Sequence, residues 1–226
     1  MYKDRRDAGQ QLAARLLHYR AAHPVVVALP RGGVPVGFEI ALALDAPLDI
    51  IVVRKLGAPG EPELAIGAVT DGDHPQSVLN RDVMRELHVP GEYLRREVAV
   101  EVHEIRRRQE CYRAGRAPEP IEGRTVIVVD DGIATGASMR AALRGVRRKY
   151  PKRLVLAVPV APPETVEALR EEVDDLVCLL TPTFFHAVGQ FYADFGQTRD
   201  EEVIRLLDMA RQRWRIGDGE AAGAAS

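Results

Sequence analysis

Residues 125–138 read TVIVVDDGIATGAS: five strand formers, two consecutive acids and a loop of small residues that opens into a helix near Ala137. All five opening residues are β-branched, which favours a strand buried on both faces. In open α/β sheets, ligands collect where the carboxyl end of a strand enters a loop and then a helix. The backbone N–H groups of Gly132, Ala134, Gly136 and Ala137, with the positive end of the next helix, suit a phosphate, and Thr135 and Ser138 add hydroxyl donors. Asp130 and Asp131 would repel that phosphate if they faced it, so they serve another group. A vicinal diol fits, because its hydroxyls donate to carboxylates, and the same acids can orient the water shell of a Mg²⁺ on the same sugar. The order acid, acid, small loop therefore reads as sugar first, phosphate second. A Walker A loop is excluded, since Gly136 is followed by Ala137 and Ser138 with no Lys.

Working outward, apolar runs rich in β-branched residues recur at 25–29, 50–53, 65–69, 154–160 and 176–180. These predict buried strands. Met139, Leu143, Val146 and Tyr150 fall at helical spacing after the central strand, and Val166, Leu169 and Val173 repeat the pattern behind Pro162 and Pro163. Strand and helix alternate, so the expected fold is α/β, an open, mostly parallel sheet flanked by helices. Residues 71–118 break the rhythm as a charged helical insertion with one apolar stripe, Leu94, Val98, Val102 and Ile105. Its Arg106, Arg107 and Arg108 interleave with Glu97, Glu101, Glu104 and Glu110, the pattern of an ion-paired solvated face rather than a nucleic-acid surface. The aromatic segment 181–200 precedes a last helix carrying Val203, Leu207, Ala210 and Trp214, and 216–226 is expected to be a flexible tail.

The chain has 226 residues, 46% of them hydrophobic, enough for one domain over 1–215. With 31 basic and 33 acidic residues, it has no global field to hold nucleic acid or an anionic membrane. No run is apolar enough to span a bilayer and MYKDRRDAGQ lacks a secretory apolar core, so the cytoplasm is the expected location. Cys178, inside LVCLL, reads as core packing. Cys111 is either a reactive thiol or an inert one, with no neighbouring cue for reactivity.

Two further segments bear on the site. PRGGVPVG (30–37) follows a strand; its Gly32 and Gly33 allow close backbone approach, and Arg31 brings a permanent charge. The bland alternative is a tight turn with a surface Arg. Arg54 and Lys55 close the run DIIVV and are expected at a strand's carboxyl end, facing the crevice that holds Asp130; alone, they read equally well as surface charges. GAPGEP (57–62) has the composition of a mobile loop.

Together these residues resemble the type I phosphoribosyltransferase family, in particular a bacterial group with an RGG loop, an RKLGAP-like segment and a YADF-like stretch. The resemblance implies that 125–138 is the phosphoribosyl diphosphate signature, that Arg31, Gly32 and Gly33 form the pyrophosphate loop, where a strained or cis peptide is often found, and that Arg54 and Lys55 precede a closing loop. It implies attack by a nitrogenous acceptor on the anomeric carbon with loss of diphosphate, Mg²⁺ as cofactor held through water by Asp130 and Asp131, and a homodimer. Catalysis would rest on Arg54, Lys55, Asp130 and Asp131. Ala134 stands where hypoxanthine-guanine types carry an Asp, so a 6-oxopurine acceptor is disfavoured. The base-recognising hood would be 181–200, with Phe184, Phe185 and Tyr192 as stacking candidates and His186 or Asp194 as edge contacts. The competing role for each aromatic is to glue the last helix to the sheet. The alternative function is a non-catalytic sensor that binds phosphoribosyl diphosphate without turnover.

Overall fold

The computed structural model describes residues 1–70 and 76–223. Its centre is a sheet built from β1 (Val25–Ala28), β2 (Leu48–Ile50), β6 (Thr125–Val129), β7 (Arg153–Val160) and β8 (Asp175–Leu180). The five strands are all parallel and lie in the order β2-β1-β6-β7-β8. The fold is therefore the expected one, with β6 at the middle.

The runs are continuous in apolar residues because both faces are covered. Val26, Ala28, Ile127, Val129, Val155 and Ala157 point into a cluster with α1 (Arg5–Leu16), α2 (Gly33–Leu44) and α7 (Asp200–Gly223). The intervening Val25, Val27, Val126, Val128, Leu154 and Leu156 point the other way, into a cluster with α5 (Ala137–Arg147) and α6 (Pro163–Arg170). The helix α2 is buried nearly all round, because α1, α7 and the sheet each take a side. Pro162 and Pro163 stand at the entrance of α6 as expected. The expected helix through Tyr150 stops earlier: α5 ends at Arg147, and Tyr150, at φ 52°, is exposed beyond it.

The chain leaves β1 for β2 on one side, then crosses back to place β6, β7 and β8 on the other. The reversal point lies between the ends of β1 and β6, where a doubly wound sheet opens a crevice. Both small-residue loops identified in the sequence sit there.

The region between β2 and β6 differs from expectation in several ways. The expected strand at 50–53 is divided: β2 ends at Ile50, and Val53 already belongs to β3 (Val53–Ala58) of a separate antiparallel sheet. The run 65–69 lies in β4 (Glu61–Thr70) of that same sheet, whose third strand is β5 (Gln76–Leu79). GAPGEP is not a long loop, since Ala58 pairs with Glu61 and only Pro59 and Gly60 turn between them. Gly60 has φ 79°, the left-handed conformation that the second corner of such a turn needs. Of the expected insertion 71–118, residues 71–75 lie outside the described residues, and α3 (Arg81–Glu86) and α4 (Gly91–Arg113) supply its helices. The stripe Leu94, Val98, Val102 and Ile105 packs against the first core cluster, and Glu104 pairs with both Arg107 and Arg108. These partners hold the Glu104 carboxyl down at about 2.

Cys178 is half-buried against the second cluster, and burial pushes its thiol up to about 11, as befits packing. Cys111 is free and half-buried against the first. At the C-terminus α7 runs to Gly223, so helix occupies most of the stretch expected as a tail; 224–226 lie outside the described residues. Among the described residues, no helix is long and apolar enough to cross a membrane.

Ile127 is fully buried on the central strand. Ile127→Ala should lower the unfolding free energy by about 2–5 kcal/mol, read from urea denaturation monitored by circular dichroism.

Candidate active site

The loop after β6 is fastened from behind. Ile133 is buried and its N–H donates to the Val160 carbonyl at 2.9 Å, while Thr165 Oγ1 on α6 donates to the Ala134 carbonyl at 2.7 Å. Gly132 is pressed against the hood, where a Cβ would lie 2.5 Å from Val188 Cγ1. Gly136 caps α5 at φ 77°, with Thr165 and Leu169 directly behind it. So anchored, the loop leaves Ala134, Thr135 and Ala137 exposed and Ser138 half-buried at the helix N-terminus. This is the geometry of an anion cradle.

The loop after β1 lies against the acid pair. Gly33 begins α2, and a Cβ on it would meet the Val129 carbonyl oxygen at 2.8 Å and Asp130 Cα at 2.9 Å. On Gly32 it would lie 2.0 Å from Asp131 Oδ2. Neither position admits a side chain, so both glycines are explained by contact. The peptide between Pro30 and Arg31 is cis. Arg31, partly exposed, has Nη1 3.8 Å from Asp200 Oδ1 at the start of α7, and Asp200 also accepts a 2.7 Å hydrogen bond from Tyr112 on α4.

Asp130 and Asp131 act on one another by charge. Burial, then the charge of Asp131, raises the Asp130 carboxyl well above its ordinary range. Burial also raises Asp131, opposed by Arg5. Arg5, unnoticed in the sequence, places Nε 2.7 Å from Asp131 Oδ2. Asp130 Oδ1 accepts from the Asp131 N–H at 2.8 Å, and the Asp131 carbonyl accepts from the Tyr192 hydroxyl.

That last contact decides the role of Tyr192. It is buried, with its ring 5.3 Å from Tyr2 and 5.0 Å from Phe195, so it glues the hood to the acid loop rather than offering a stacking face. Phe184 is 84% exposed, and half-buried Phe185 packs on Phe191 at 5.4 Å. His186 and Asp194 are exposed. The N-terminal residues pack on the segment expected as the hood: Tyr2 N–H donates to the Phe191 carbonyl and Ala193 N–H to the Tyr2 carbonyl, each at 2.8 Å. Beside Arg5 lies a cleft of about 260 Å³ lined by Arg6, Pro35, Asp194, Gln197 and Thr198 among others.

Arg54 and Lys55 are placed differently from expectation. They sit on β3 of the antiparallel sheet, not at the carboxyl end of a parallel strand. Arg54 Nε is 2.6 Å from Glu101 Oε2 on α4, whereas Lys55 is exposed. The structure thus joins Arg31, Gly32, Gly33 and residues 130–138, and ties Arg54 to a helix instead.

The model of the phosphoribosyl transferase domain family matches residues 2–195. The chain belongs to the phosphoribosyl transferase family. This is a glycosyltransferase-type enzyme class. A Mycobacterium tuberculosis protein whose name assigns it provisionally to phosphoribosyl transfer is 47% identical over 94% of this chain and 47% of its own length. The chain therefore spans about half the length of the curated relatives it matches. A uracil phosphoribosyltransferase of Lactobacillus gasseri is 39% identical over only 61 residues, 27% of this chain and 29% of its own. Among solved structures, the protein TT1426 from Thermus thermophilus shares 46% identity and a TM-score of 0.79, covering 92% of this chain and 97% of that one.

The acid pair of this phosphoribosyl transferase domain has a stability signature. A carboxyl whose folded pKa is raised holds its proton more tightly in the native state than in the unfolded chain, where Asp titrates near about 3.9. It therefore costs stability progressively as pH rises from about 4 towards the raised folded value. Asp130→Asn should unfold at a higher temperature than wild type at pH 7, with the gap closing towards pH 4. Scanning calorimetry without ligand reads this, and a lower midpoint at pH 7 contradicts it.

Proposed function

We propose that the protein transfers a phosphoribosyl group from Mg²⁺-bound phosphoribosyl diphosphate to a nitrogenous acceptor, with release of diphosphate. The carrying observation is the fit of two loops at the switch point, so close that Gly32 and Gly33 have no room for a side chain against Asp131 and Asp130. In this reading the acid pair takes the ribose diol, residues 132–138 take the 5′-phosphate, and Arg31 to Gly33 take the diphosphate.

The residues fit Mg²⁺. Two neighbouring half-buried carboxylates offer a hard oxygen set whose mutual repulsion a divalent cation would relieve. Asp130 and Asp131 would hold the ion largely through water, with substrate oxygens completing its shell. When bound, it would supply positive charge to the departing diphosphate. The chain's own part is positioning and charge. Asp130 and Asp131 fix the ribose while positive charge grows on its ring, Arg31 offers a permanent cation to the leaving group, and the cradle holds the far phosphate. Lys55, exposed on the hairpin, is a second candidate cation; Arg54 acts by bracing the hairpin on Glu101. The acceptor would enter on the hood side, beside Arg5 and Pro35, where the cleft lies. Ala134 provides no carboxylate at this position, which disfavours a 6-oxopurine acceptor.

One observation favours the sensor alternative: the engagement of Arg54 with Glu101 leaves fewer cations for leaving diphosphate. The two readings separate on turnover. Incubation with Mg²⁺, phosphoribosyl diphosphate and a panel of nucleobases and simple amines should give diphosphate release well above the acceptor-free rate for at least one acceptor. Tight binding without release for any acceptor selects the sensor. Asp130→Asn combined with Asp131→Asn should abolish calorimetric binding of Mg²⁺-phosphoribosyl diphosphate with an unchanged circular dichroism spectrum; unchanged affinity removes the basis of both readings.

A further inference from the structure

Arg5 reaches the acid pair from 126 residues away in sequence and makes three contacts at once. Nε donates to Asp131 Oδ2 at 2.7 Å, Nη1 donates to the Gly196 carbonyl at 2.7 Å, and the guanidinium carbon lies 3.9 Å over the centre of the Phe195 ring. Both ion-pair partners are shielded, with side chains only 13% and 14% exposed, so the bond is not one of the loose surface pairs that solvent screens away. The planar fork of Arg suits this task, because it offers separate N–H groups to two acceptors in a fixed plane while its face stacks on a ring. Asp4 caps the helix that carries Arg5, accepting from the Asp7 N–H at 2.8 Å, so the guanidinium is presented from an ordered turn. Behind Asp131, the Tyr192 hydroxyl donates to its backbone carbonyl. The hood therefore grips Asp131 by its backbone through Tyr192 and by its carboxylate through Arg5.

We propose that Arg5 is a positioning residue for phosphoribosyl diphosphate binding: it holds the Asp131 carboxylate oriented towards the ribose, and locks that carboxylate to the Phe195–Gly196 end of the hood. The inference rests on the functional reading above. Ribose hydroxyls and a hydrated cation both need an acceptor held in a fixed place, and the Arg5 fork fixes the Asp131 carboxylate from behind. Through Gly196 it also makes the acceptor side and the sugar side of the site share one joint.

The test compares wild type, Arg5→Met and Arg5→Lys by calorimetric titration with Mg²⁺-phosphoribosyl diphosphate, with thermal midpoints recorded for each. Arg5→Met should bind roughly tenfold to a hundredfold more weakly, as expected for loss of a charge-assisted hydrogen bond. Arg5→Lys restores the charge but not the fork, and should recover part of the loss. A purely structural role predicts instead that affinity follows the thermal midpoint and that Lys, which cannot hold Gly196 and the ring together, gives no recovery; that pattern overturns the proposal. Wild-type affinity in Arg5→Met, with wild type itself binding, removes the clamp alone. A wild type that binds no Mg²⁺-phosphoribosyl diphosphate removes the functional reading and the purpose of the clamp together.

Discussion

The contact on which the site depends is steric: two loops, one after β1 and one after β6, meet so closely that the backbone of Gly32 and Gly33 lies where any side chain would strike Asp131 or the Val129–Asp130 backbone. The topology brings this about. Because β1 and β6 are neighbours in a parallel sheet, their carboxyl ends lie side by side, and because the chain reverses direction between them, the helices that follow diverge to opposite faces. The space between the two helix entrances is then a crevice with backbone on one wall and acids on the other. The sheet core, saturated with β-branched and other apolar side chains, supplies the rigidity that keeps this spacing fixed.

Placing two carboxylates there conflicts with the stability of the empty protein. Asp130 is half-buried beside a like charge, so the site concentrates electrostatic repulsion that Arg5 offsets by its charge at both acids and by an ion pair at Asp131 alone. Sites selected for binding commonly carry such a local conflict, since the groups that await a cation or a polarised sugar are poorly accommodated without it.

The parallel sheet was legible because local pattern and global environment agree. The run TVIVV has only one sensible place, the doubly covered centre, and the sequence DDGIATGAS after it states its own geometry through residue size and charge. Where the reading erred, tertiary structure overrode local signal. DIIVVRK looks like one strand ending in two cations, yet the strand hands over at Ile51 and Val52 to a second sheet of opposite pairing, and nothing in the residue types of that stretch marks the change. Tyr192 reads as an available ring but is enclosed by Tyr2 and Phe195, and Arg5 sits in a stretch whose partners lie more than a hundred positions away. Contacts of that separation leave no trace in periodicity or spacing.

The long insertion helix α4 holds the β3–β4 hairpin at two points and the start of α7 at a third. Near its start the Tyr93 hydroxyl donates to the Gly57 carbonyl of the β3–β4 hairpin, in its middle Glu101 binds Arg54, and near its end Tyr112 binds Asp200, the partner of Arg31. Tyr93 and Tyr112 are separated by about 28 Å of helix at the usual rise per residue, a distance over which an α-helix is effectively a stiff rod. The far end of the rod is in turn held to the central sheet, where Arg113 Nε lies 2.9 Å from Asp49 Oδ1. The hairpin and the Asp200 partner of the glycine-loop arginine are thus set at a fixed spacing by one strut seated on the core.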